Sequence, residues 1–79
     1  MSIEEVQERY REALELIDAK RYKEAADILG RCMRILERIA EKSHGAEMLK
    51  AVTMLRNIGK LHAQLSRRII NHSEKTNNH

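Results

Sequence analysis

The side chains in this chain equipped for catalysis or metal binding are few: four histidines (His44, His62, His72, His79), one cysteine (Cys32) and a scatter of carboxylates. No histidine stands four residues from another and no second cysteine accompanies Cys32, so zinc-ligand spacing is missing. His62 and Ser66 lie one helical turn apart, as a base and a nucleophile would, but no acidic orienter or oxyanion loop goes with them. Glu4, Glu8 and Glu12 recur at the spacing of a solvated helix face. General acid–base work needs burial that separates two carboxyl pKa values, and nothing in the pattern supplies it. Gly30, Gly45 and Gly59 are too dispersed to cradle a phosphate. We therefore expect no catalytic residue, no metal and no cofactor.

These residues sit inside a strong helical rhythm. Tyr22, Ala25, Leu29, Cys32, Leu36 and Ile39 recur at alternating steps of three and four, which paints one side of a helix apolar. Cys32 falls within that stripe and reads as a small buried hydrophobe. Before it, Ser2 to Glu5 spell a capping box, and Ile3, Val6, Tyr10, Ala13, Leu14 and Ile17 follow at helical spacing. Asp18 to Arg21 suit a tight turn, with Asp18 or a neighbour expected to cap the second helix. Ala26, Ile28, Met33, Ile35 and Ala40 widen the second stripe, as in a helix with two neighbours. Gly30 in its interior costs about 1 kcal/mol relative to alanine, so we expect a close helix crossing there.

Lys42 to Gly45 break the pattern. A third helix then carries Met48, Val52, Leu55, Ile58, Leu65 and Ile69 along its main stripe, joined by His62. His62 reads as a seam histidine satisfied by a neighbour or by water, with a pH-responsive interface as the sharper alternative. The expected fold is all-α: a three-helix antiparallel bundle with helices at about 2–18, 21–41 and 46–71. Residues 1–71 form one domain, and the polar residues 72–79 form a disordered, flexible tail.

Composition narrows the class further. Seventy-nine residues make one small domain. Proline, tryptophan and phenylalanine are missing, which permits long helices and removes the stacking platforms of most single-strand nucleic-acid binders. A single cysteine precludes an internal disulfide and suits a reducing compartment. The acidic opening MSIEEVQERY has no apolar run and reads as neither a secretory signal nor a transit peptide. No segment has the length of uncharged apolar sequence that a membrane span needs. Together these features lead us to expect a soluble, cytoplasmic protein.

The run Tyr22-x-x-Ala25-x-x-Ile28-Leu29-x-x-Cys32-Met33-x-x-Leu36 resembles the second helix of a tetratricopeptide-type hairpin. In that family a tyrosine opens the helix after a tight turn, and a small residue three positions on lets the first helix approach. Lys20-Arg21 stand where such families favour glycine. The hairpin plus a third helix resembles the microtubule-interacting and trafficking (MIT) domain. A more distant likeness, in Val52-x-x-Leu55-Arg56 and Leu65-Ser66-Arg67-Arg68-Ile69-Ile70, is to the helical N-terminal domain of transcription elongation factors. All three resemblances imply a scaffold that binds a helix or linear peptide, and none implies catalysis.

Charge is unevenly spread. Residues 1–19 hold six acids and two arginines, whereas residues 43–79 hold six bases and two acids. The plainest account is that an acidic first helix complements its basic neighbours. Helix 3 also carries more apolar residues than one seam needs, in Met48, Leu49, Met54, Leu61 and Ile70. Methionines suit an adaptable groove. We therefore expect an adaptor-like interaction module whose partner site comprises Met48, Leu55, Ile58, Leu65 and Ile69, with Arg67 and Arg68 meeting acidic residues at the rim. The occupant is a helical or linear peptide or a second copy in a homodimer. The alternative is a nucleic-acid-associated protein gripping phosphates with Arg31, Arg34, Arg38, Lys60, Arg67 and Arg68.

Overall fold

In the computed structural model the backbone is described for residues 2–77 and the side chains for residues 2–71. Three helices follow one another: α1 (Ile3–Asp18), α2 (Tyr22–Lys42) and α3 (Gly45–Asn77). The all-α, three-helix antiparallel architecture is the one that the apolar rhythm specifies. The first two boundaries differ from expectation by no more than a residue at either end, the usual fraying margin. α3 runs on to Asn77; the tail expected at 72–79 falls where side chains lie outside the described residues.

α1 begins on the expected box. The Glu5 backbone N–H donates to Ser2 Oγ at 3.3 Å, and the Ser2 backbone N–H donates to Glu5 Oε1 at 3.5 Å. Its end is a Schellman turn: the Lys20 N–H donates to the Ile17 carbonyl at 2.9 Å, and the Arg21 N–H to the Leu16 carbonyl at 2.8 Å. That turn needs one left-handed residue, and Lys20 takes it at φ 63°. A lysine thus occupies a backbone conformation that glycine adopts without steric cost.

The expected cap on α2 is corrected. Asp18 is still the last residue of α1, and Arg21 occupies the N-cap without any side-chain hydrogen bond to the helix end. Arg21 instead pairs with Glu24 at 2.7 Å. Both partners are more than half exposed, so the pair adds little.

α2 is central. α1 packs on one side and α3 on the other, while α1 and α3 barely touch. The core is Ile3, Val6 and Ala13 from α1, Ala25, Leu29, Cys32 and Leu36 from α2, and Ala51, Ile58 and Leu65 from α3. The α3 members recur every seven residues, so only a narrow line of that helix is fully buried. α3 is about 50 Å long at 1.5 Å per residue, against about 32 Å for α2. The radius of gyration, 14.2 Å, exceeds the roughly 11.6 Å of a compact domain of this length.

Candidate functional site

One contact and two close approaches show the antiparallel register of α2 and α3. Arg68 Nη1 donates to Tyr22 Oη at 3.2 Å. A methyl group added at Gly30 would meet His62 Nε2 at 3.9 Å, and one added at Gly59 would meet Met33 Cε at 3.7 Å. This register brings Ala26 level with Ser66 and Ala40 level with Val52. It also means that α2 begins opposite Arg68, so the next turn of α3 extends past it. Ile70 is accordingly 55% exposed.

The expected stripe on α3 is displaced. Ala51 takes the buried place beside Ile58 and Leu65, while Val52 is 38% exposed and Met48 41%. Met54 and Leu61, read from sequence as surplus, pack against the core instead. The large apolar side chains of α3 left outside are Met48, Leu49, Val52 and Ile70, with Leu49 at 66% exposure. Met48, Val52, Leu55, Gly59, Ser66 and Ile70 follow at steps of three, four and seven, so they share one flank of α3. Gly59 places that flank at the edge of the seam with α2, whose Gly30, Met33 and Glu37 share the facing flank.

The expected partner residues therefore separate. Met48 is open and Leu55 and Ile69 are half-buried. Ile58 and Leu65 are 2% and 3% exposed, so they support the surface from beneath and cannot line it. Arg67 is exposed on the open side. Arg68 is committed elsewhere: besides its hydrogen bond, its guanidinium carbon lies 5.6 Å from the centroid of the Tyr22 ring. Arg56 and Lys60 stand at helical spacing from Arg67 and are also exposed. Nothing in the sequence marks Arg56, because one cation in a basic helix does not show which way it faces. From Gly45 to Asn71 this helix holds five cations and one acid, Glu47.

The residues of the phosphate-binding alternative do not form a uniform patch. Arg31, Arg34 and Arg38 are exposed on α2, but Asp27, Glu37 and Glu41 are exposed among them. A separate hollow of about 380 Å³ lies where α2 meets the turn to α3. Ile35 and Ile39 are among its lining residues, with Arg38, Lys42, Ser43 and Glu47.

Cys32 is fully buried, its Sγ 4.0 Å from the Val6 carbonyl oxygen. Burial pushes its thiol pKa up; Arg9 opposes this and Glu12 adds to it. Such a thiol is protonated and inert at neutral pH. His62 is half-buried beside Gly30. Among the described residues no group of three or more His, Cys, Asp or Glu side chains converges as a metal site would. None of the helices searched over those residues is long and apolar enough to cross a membrane.

No family model, curated protein or solved structure matches the chain. What can be said of its role comes from its own residues.

Proposed function

We propose that this chain is a small, non-catalytic interaction module that binds an acidic amphipathic helix or linear peptide along the open flank of α3. One observation carries the reading: Met48, Leu49, Val52 and Ile70 are exposed on a helix that packs almost wholly on α2, and Arg56, Lys60 and Arg67 stand exposed on the same side. An apolar strip edged by cations suits a partner with an apolar stripe and an acidic border. The resemblance of the α1–α2 hairpin to tetratricopeptide-type and MIT helices points the same way. A reducing, cytoplasmic setting suits a protein whose single thiol has no disulfide partner within the chain.

Charge selects among occupants. A second copy offering its own α3 would set five cations against five. Its acidic α1 already spends Ile3, Val6 and Ala13 on its own α2. Nucleic acid is the weaker reading, because acids interleave with the α2 arginines and Arg68 is held by Tyr22.

The test is a pair of synthetic helices of about six turns, one with leucines at helical spacing edged by glutamate, the other edged by lysine. The acidic peptide is expected to bind about tenfold more tightly or better, and Val52→Asp is expected to abolish its binding in a protein that keeps its helical circular dichroism. Equal affinity for both peptides, or binding unaffected by Val52→Asp, overturns the reading. So does a light-scattering mass showing a dimer that Val52→Asp converts to monomer, or tighter binding to a DNA duplex or to anionic vesicles than to the acidic peptide.

A further inference from the structure

α2 carries a second stripe that its buried line does not use. Ile35, Arg38, Ile39 and Lys42 stand at i, i+3, i+4 and i+7, beside the fully buried Leu29, Cys32 and Leu36. Ile35 and Ile39 are only half-buried, and they line the hollow of about 380 Å³ together with Arg38, Lys42, Ser43 and Glu47. The hollow lies where the last turn of α2 outruns α1. The 4.0 Å approach of Cys32 Sγ to the Val6 carbonyl puts Ile35 level with Ile3, the first residue of α1, so Ile39 and Lys42 extend past it. Glu47 borders the hollow from the first turn of α3. It stands one turn before the buried Ala51, on a different side of α3 from Met48 and Val52. Charge marks what the hollow suits. Arg38 and Lys42 are like charges one turn apart, a pairing that destabilises a helix and that an anion set between them relieves. Lys42 complements the carbonyl end of α2, but Arg38 stands a turn earlier, where that effect has faded. Among the described residues neither is within ion-pair distance of a carboxylate.

We infer that this hollow binds the C-terminal residue of a partner peptide, its apolar side chain on Ile35 and Ile39 and its carboxylate between Arg38 and Lys42. The Arg38 guanidinium is a planar fork that matches a carboxylate with two parallel hydrogen bonds. Lys42 adds a second charge, and the Ser43 hydroxyl a further donor. Glu47 repels a bare anion but accepts the amide N–H that stands one bond before the α-carbon of a peptide's last residue. That arrangement favours a peptide end over a simple fatty acid. With Glu47 and the guest carboxylate set against two cations, the filled site is neutral. The volume lies at the low end of small-ligand sites, roughly 300–1,000 Å³, which suits one residue and not a length of helix. The site is independent of the helix binding proposed along α3.

The experiment titrates the full chain with a short N-acetylated peptide of glycine and serine ending in leucine, followed by NMR of the backbone amides. Shifts are expected to concentrate at residues 35–47, which span the hollow. The same peptide with a C-terminal amide, and one ending in glycine, are each expected to bind about tenfold more weakly. Arg38→Gln, at an exposed site, is expected to weaken the free-acid peptide about tenfold and the amide little. A purely structural role for Arg38 would weaken both alike. Isocaproate, which keeps the carboxylate and the branched chain but has no amide, is expected to bind more weakly than the peptide and to gain affinity from Glu47→Gln. Equal binding of acid and amide, shifts centred elsewhere, or no shift at millimolar peptide overturns the site. Isocaproate binding as tightly as the peptide overturns the peptide end as its ligand and makes a free fatty acid the occupant.

Discussion

α1 and α3 pack on the same central helix, yet they use their apolar residues differently. α1 buries Ile3, Val6 and Ala13 and half-buries Tyr10, Leu16 and Ile17, leaving Leu14 as its one large exposed apolar side chain. Its N-terminus is boxed by Ser2 and Glu5, its C-terminus is closed by a Schellman turn, and its outer face is acidic. α3 buries three residues a heptad apart and shows four large apolar side chains to solvent along a cationic face. A stripe that fits its seam holds a fold together; apolar surface beyond the seam is available to something else. The α1–α2 hairpin is therefore the structural half of the molecule, while the outer flank of α3 carries apolar side chains that no other described element covers.

Substitutions can break this contrast at several strengths. The largest effect is expected in the shared core. Leu36→Ala, at a fully buried site on α2, should lower unfolding stability by about 2–5 kcal/mol in urea melts. The hairpin turn offers the opposite sign. Lys20→Gly relieves the left-handed strain at φ 63° and should raise stability by about 1 kcal/mol. A decrease would mean that the lysine side chain, not its backbone, is what the turn needs.

Cys32 separates the inside of the molecule from its outside by pH. Burial holds its folded-state pKa above the ordinary thiol value. The unfolded chain therefore loses that proton first, near pH 8.5, and binds fewer protons than the folded chain above that point. Stability should fall as pH rises through this range, and Cys32→Ala should flatten the decline. Identical slopes for both proteins would show that the thiol titrates alike in both states. The smallest effect is expected on α3: Val52→Ser, at a partly exposed site, should shift stability by no more than about 0.5 kcal/mol. A core-sized loss there would place Val52 in the structural half and erase the distinction.

Much of this is legible in the sequence. Ser2 and Glu5 announce the first helix because a capping box is local chemistry, complete within four residues. The three-four rhythm from Tyr22 to Ile39 specifies the buried side of α2, and Leu29, Cys32 and Leu36 lie there. Less was legible on α3, where apolar residues occur in more than one direction and periodicity alone ranks them equally. Tertiary packing chose Ala51 over Val52 for burial, drew Met54 and Leu61 inward, turned Arg68 onto Tyr22 and left Arg56, Lys60 and Arg67 in the open. The turn followed the same division: Asp18 looked like a cap, but backbone hydrogen bonds to Leu16 and Ile17 made Lys20 the residue that bends.

The sequence by itself determined three helices, their approximate ends, a buried cysteine without a disulfide partner in the chain and an acidic-to-basic gradient along the chain. Each is a property of neighbours within a turn or two, or of composition. Only the tertiary structure decided which apolar residues of α3 remain outside and which cations border them. It also showed that the crossing expected at Gly30 is not close enough to require glycine, since a methyl group there would meet only His62, at ordinary contact distance. Those features depend on where α2 begins and how far α3 outruns it, and no local pattern within α3 encodes the length of another helix.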